Sequence, residues 1–171
     1  MKKLTAVVVV ALLSLLTAFA FLPAPDRGPG AIEDMLKVFF KALDSGDRAG
    51  AQACINPKDG HFPVLVYDLD LENKPVTLEG AEANAKYLDS TFDSLQKSKA
   101  KVVSTIAKIH ADCHSPELGY ATLEFSQAVT IGAKTESSSY RATALVSYDK
   151  QDHKWRIFHW HASLAQSPVT K

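Results

Sequence analysis

The chain has 171 residues, of which 46% are hydrophobic and 22% charged, the balance of a soluble globular protein. Its 19 Lys and Arg offset 19 Asp and Glu. With no basic excess to neutralise phosphates, no nucleic-acid partner is expected.

Residues 4–22 carry no charge and follow Lys2 and Lys3. Residues 1–20 read as a signal peptide: a basic start, an apolar core, and Ala18-Phe19-Ala20 as a small-x-small cleavage signal, with cleavage after Ala20. The alternative is an uncleaved anchor, since the apolar run is long enough to span a bilayer. The expected location is therefore the periplasm or the extracellular space, with membrane attachment only if the leader is retained. Residues 21–30, rich in Pro and Gly, form a linker, residues 31–165 a single domain, and residues 166–171 a tail. About 150 residues suffice for one sizeable core.

The spacing predicts an amphipathic helix over 31–43, with Ile32, Met35, Leu36, Phe39 and Leu43 on one face. Gly46 suits a left-handed helix end, and Asp47 can cap a second, shorter helix over 48–55. Residues 61–69 are strand-like, and 72–75 form a turn. A third helix is expected over 80–97, with Ala81, Ala85, Leu88, Phe92 and Leu95 as its buried stripe. Everything beyond Lys99 reads as β: four strands joined by short polar connections at 114–119, 132–137 and 149–153, an antiparallel meander. The expected fold class is α+β, with three N-terminal helices packed on a curved, mostly antiparallel sheet. Such a sheet wrapped on helices forms a cone with an internal cavity, where a ligand binds.

Two segments carry a family resemblance. Phe39-Phe40-Lys41-Ala42-Leu43-Asp44-Ser45-Gly46-Asp47 resembles an F-x-x-A-L-x-x-G-D helix ending. Trp155-Arg156-Ile157-Phe158-His159-Trp160-His161-Ala162-Ser163 is similar to a W-R-I-x-H-x-H-x-S closing strand. Both are patterns of the NTF2-like superfamily, in its SnoaL-like and ketosteroid-isomerase-like branch. The resemblance implies the cone fold and leaves function open, because the fold hosts isomerases, cyclases, dehydratases, hydrolases and binding modules. It also implies a catalytic Tyr seven residues before Gly46 in the steroid isomerases. Here that residue is Phe39, which cannot donate a hydrogen bond to an enolate, so classical ketosteroid isomerase activity is not expected. The general base of those enzymes is an Asp on the strand after the second helix; Asp68 or Asp70 stands near that place without a matching local motif.

His159 and His161 are two apart, so in a regular strand they share a face with Trp155, Ile157 and Ser163. Facing the cavity, the pair binds an anionic or carbonyl group, exchanges a proton, or ligates a metal. Alternatively, one is a hydrogen-bonded core residue and the other faces solvent or a subunit interface. No third ligand stands at a recognisable spacing, so neither a metal nor another cofactor is expected. Tyr67, Asp68, His110 and Tyr140 are further candidates for the cavity wall. The opposite face of the last strand, with Phe158 and Trp160, is also apolar and is expected to be covered by a second copy, as the resemblance implies for this sheet, or alternatively by the N-terminal linker or the C-terminal tail. Cys54 and Cys113 permit one disulfide in an exported protein, or remain separate buried thiols. Asp112-Cys113-His114 reads as a strand end rather than a nucleophilic pair, because neighbouring strand residues point apart. Three functions remain open: an exported module binding a small, mostly apolar ligand or a partner in its cavity; a cyclase, dehydratase or isomerase-type enzyme using His159 or His161; and an oligomerisation domain.

Overall fold

A computed structural model describes residues 26–55, 63–67 and 75–165. The expected leader, most of the linker, Asp68, Asp70 and the tail lie outside the described residues. Among the described residues no helix is long and apolar enough to cross a membrane.

Helix α1 runs Pro29–Ser45 and helix α2 Arg48–Cys54. Pro29 opens α1 where a missing backbone N–H costs nothing. Gly46, at φ 71°, closes it in the left-handed region that a residue with a Cβ enters with difficulty. Asp47 then caps α2, its carboxylate accepting from the Gly50 N–H at 2.9 Å. Strands β1 (Val64–Tyr67) and β2 (Val76–Glu79) precede helix α3 (Ala81–Ser98). The meander follows as β3 (Lys101–Cys113), β4 (Leu118–Ile131), β5 (Lys134–Asp149) and β6 (Lys154–Leu164).

The six strands form one curved, unclosed sheet in the order β2-β1-β6-β5-β4-β3. All neighbours are antiparallel except β1 and β6, which run parallel. The three helices cover one face, giving the expected α+β cone. The short β2, not separated from its surroundings in the sequence, is the sixth strand. The core lies between α1 and the covered face: Ile32, Leu36, Phe39 and Phe40 meet Ala121, Phe125, Val146 and Trp160, all buried. Gly119 lets α1 approach β4 closely, since a Cβ there would stand 2.6 Å from Ile32 Cδ1 and 2.8 Å from the Asp112 carbonyl oxygen.

Two β-bulges re-aim the sheet. On β3 the register slips between Ile106 and Lys108. On the β5–β6 pair, Leu145 lies opposite His159 but Val146 lies opposite Ile157, so Phe158 is the extra residue. An extra residue reverses which face the following side chains occupy. Trp155 and Ile157 before the bulge, and Trp160 and Ala162 after it, therefore all turn to the helices and are buried.

Candidate functional site

The apolar stripes of α1 and α3 do not meet the sheet along their whole length. Between them remains a cavity of about 160 Å³. Its wall includes Phe39, Leu88, Phe92, Phe125 and Trp160, with Tyr87, Thr91, Gln127 and Tyr140 as its polar members. Among the described residues no carboxylate, imidazole, amine or thiol lines it. Trp160 packs edge-on against Phe39 and Phe40, with ring centroids 5.8 and 6.1 Å apart. The Tyr140 ring stacks on Phe125 at 5.2 Å. The indole N–H of Trp160 is buried and has no hydrogen-bond partner among the described residues.

Gln127 is held from behind. It lies opposite Ser104 across the β3–β4 ladder, and its Nε2 donates to Ser104 Oγ at 3.2 Å. Ser104 in turn gives both its donors to one carboxylate: Oγ–H to Asp44 Oδ1 at 2.7 Å and backbone N–H to Asp44 Oδ2 at 2.9 Å. Asp44 sits in the last turn of α1, which carries no basic residue. A negative charge there opposes the helix dipole; the two donated hydrogen bonds offset that cost. Gln127, Ser104 and Asp44 are not singled out by the sequence, yet the alternation holds one signal. Gln127 has the same parity as Phe125 and Val129, so a regular strand turns its amide inward.

The histidine pair occupies the other side of the sheet. His159 and His161 share a face with each other and with Ser163, as expected, but not with Trp155 and Ile157, because the bulge at Phe158 comes between. They look away from the helices. His161 is exposed and lies in the cross-strand row His110–Thr122–Thr143–His161. His110, on the same outer face, is exposed too. Lys108, Glu124, Arg141 and His161 border a shallow depression of about 260 Å³ there. His159 is half-buried; burial, and then the nearby His161, hold its imidazole below the usual pKa. Both imidazoles lie on the outer face, outside the cavity between the helices and the sheet, whereas acid–base catalysis calls for a base and its partner together in a closed pocket. Among the described residues no three His, Cys, Asp or Glu side chains gather around a metal-sized space.

Trp160, expected on a dimer face with Phe158, is instead 3% exposed and part of the cavity wall. The physical reason is again the bulge, which exchanges the faces of the imidazoles and the indole. Phe158 itself is half-buried. Of the remaining candidates, Tyr140 lines the cavity. Tyr67 ends β1 opposite Ala162 of β6, and Asp68 lies outside the described residues.

Cys54 and Cys113 are both free thiols, not a disulfide. Cys113 pairs with Gly119 on β4, which pairs with Val146 on β5, which pairs with Ile157 on β6, and Ile55 is bridged to the far side of Ile157. Three strand spacings of about 4.8 Å already exceed the roughly 7 Å limit on Cα separation for a disulfide. The Cys113 thiol donates to the Arg27 carbonyl at 3.2 Å. Burial, then the charges of Asp112 and Asp26, push its pKa up; burial does the same at Cys54. Neither is an activated nucleophile.

The profile of a family described as "SnoaL-like domain" matches residues 32–167. The chain belongs to the SnoaL-like domain family. Solved structures place it in the same fold. An NTF2-like family protein from Streptomyces avermitilis superposes with a TM-score of 0.66 at 12% identity, over 81% of this chain and 96% of that one. An NTF2-like protein with a cystatin-like fold from Novosphingobium aromaticivorans gives 0.63 at 14% identity, over 94% and 90%. A ketosteroid isomerase-like protein from Erwinia carotovora atroseptica gives 0.61 at 12% identity, over 81% and 97%. Among curated proteins none matches the chain. Identities this low speak for the fold alone. In this SnoaL-like domain Phe39 lies in the cavity wall and is 2% exposed. The side chain it presents there is a phenyl ring, which has no hydroxyl to donate.

Proposed function

We propose that the protein is an exported SnoaL-like domain that binds a small, neutral, mostly apolar molecule between α1, α3 and the sheet, without acid–base chemistry. The observation that carries this reading is the composition of the cavity wall. Aromatic and aliphatic groups favour an apolar ligand, and the wall offers neutral hydrogen-bonding groups but no group that titrates near neutral pH among the described residues. An ion placed there would lose its hydration without gaining a counter-charge. The buried Trp160 N–H adds a donor that an acceptor atom on the ligand would satisfy. A volume of about 160 Å³ is near the size of cavity that holds a single benzene ring, about 150 Å³. The leader-like residues 1–20 support export.

A thermal-shift screen with neutral one-ring compounds, steroids, small acids and divalent cations tests the reading. Ligand at about 100 times its Kd stabilises a fold by about 2.7 kcal/mol. The neutral one-ring compounds are expected to raise Tm. Thr91→Trp, which fills the cavity from α3, should remove that rise. His159→Ala combined with His161→Ala should leave it intact. Loss of the rise in the double histidine variant, with Thr91→Trp still responding, would refute the assignment.

A second reading concerns the outer face, where one observation favours a second copy of the chain. Tyr120, Leu145, His159 and Val64 form one cross-strand row. Tyr120 is 37% and Leu145 38% exposed. Two neighbouring exposed apolar side chains on a sheet face favour burial against a second copy. Light scattering of wild type against Leu145→Glu tests it: a dimer that becomes a monomer supports the outer-face contact, and an unchanged particle size removes it.

A further inference from the structure

The geometry points to Gln127 as the residue that selects the ligand, reading a hydroxyl group on a small neutral alcohol or phenol; this inference rests on the cavity reading above. The chain of hydrogen bonds sets the sense of the amide. An ionised Asp44 only accepts, so the Ser104 hydroxyl must donate to it at 2.7 Å. Ser104 Oγ then has only lone pairs left to offer, and Gln127 must present its NH₂ end to them, at 3.2 Å. The carbonyl end is thereby turned away from Ser104. What remains for a molecule in the cavity is one acceptor, Oε1, and one N–H on Nε2.

That pair suits a hydroxyl, which both donates and accepts. It suits a carboxylate poorly, since Oε1 would face a like partial charge and no cation lines the wall among the described residues. It also discriminates against a pure hydrocarbon, which would bury the amide end without a partner. Asp44 and Ser104 are positioning residues in this account: neither need touch the ligand, and their part is to prevent the amide from turning over. Asp44 at the unfavourable end of α1 costs the helix some stability and instead holds Ser104 through two hydrogen bonds.

The test uses phenol, toluene and benzoate, three probes of nearly one size, with affinities measured by calorimetry or NMR titration on the protein and on two variants. In the wild type, phenol and toluene bind and benzoate does not. Gln127→Met keeps the length of the side chain and removes the amide. It is expected to lower the phenol-to-toluene affinity ratio at least about fivefold, because the buried hydroxyl loses its partner. Toluene affinity should hold or rise, which also reports an intact fold. Ser104→Ala should lower the same ratio by a smaller factor with toluene affinity unchanged, a split that a merely structural role would not produce. A ratio that survives Gln127→Met, or benzoate binding as tightly as phenol, overturns the assignment of Gln127 while the cavity stands. Failure of all three probes to bind overturns both.

Discussion

Replacing Arg156 by Met should cost this domain a large part of its stability. The side chain of Arg156 is 8% exposed and that of Asp149 only 2%. Arg156 Nε donates to Asp149 Oδ2 at 3.1 Å, and its two remaining nitrogens reach the Ala53 carbonyl and Asp152. One guanidinium thus joins the β5–β6 hairpin to the end of α2. Met preserves most of the packing but leaves Asp149 buried without its counter-charge. Breaking a buried pair in this way costs about 3–5 kcal/mol. At roughly 3–5 °C per kcal/mol for a domain of this size, Tm should fall by about 10–20 °C. Asp149 Oδ1 also accepts from the Gln151 and Asp152 N–H groups, at 2.9 and 3.3 Å, so its partner test must keep those bonds. Asp149→Asn does so while removing the charge. Added to Arg156→Met, it should restore a substantial share of the loss, which thermal unfolding followed by circular dichroism would read as a double-mutant cycle. An Arg156→Met variant within about 1 kcal/mol of wild type, or a cycle without rescue, would refute the claim that the cluster acts as a buried charge pair.

Three further outcomes follow from named contacts. Trp160→Ala should destabilise by about 3–5 kcal/mol, as for a large core aromatic, whereas an exposed interface residue would change particle size and spare Tm. Gly119→Ala should cost about 1–3 kcal/mol in urea unfolding, because the new Cβ meets the Asp112 carbonyl as well as the movable Ile32 side chain; a neutral result would show that α1 and β4 separate freely. The His159 imidazole is held below the ordinary histidine pKa of 6.5, so the unfolded chain binds the proton first. Its contribution is complete above pH 6.5 and is lost as pH falls from there through the folded pKa. The urea midpoint should therefore drop between pH 7.5 and pH 5, and less so in His159→Gln; identical slopes would assign the dependence to other groups.

The fold was legible because its signals are long. The α1 stripe spans Ile32 to Leu43; the α3 stripe holds from Ala85 to Leu95, whereas Ala81, expected in it, is exposed and Asn84 is the buried residue of that first turn. Strand β3 ends at Cys113 and β6 begins at Lys154, at the edges of the connections expected at 114–119 and 149–153. Strand β2 is not legible in the sequence, because four residues after a turn carry too little alternation to stand out. The faces of the last strand are harder to read. The alternation from Trp155 to Leu164 looks unbroken, and neither Gly nor Pro marks the bulge at Phe158. Yet the buried set Trp155, Ile157, Trp160, Ala162 contains one odd step, from 157 to 160, and an odd step within one apolar face is the trace of an inserted residue. Read without it, the two imidazoles fall in the cavity and Trp160 outside, the reverse of their places. Gln127 escaped for the opposite reason. Its inward parity is regular, but its partners Ser104 and Asp44 come from distant parts of the chain, and no sequence spacing links them.

The most direct test of the central claim is a two-dimensional NMR titration of the folded domain with phenol, following the two tryptophan indole N–H signals and the histidine ring signals together. The indole of Trp160 should shift in a saturable way, with those of Trp155, His159 and His161 unmoved. Saturable shifts at His159 and His161 with a stationary Trp160 would place binding on the outer face and contradict the account.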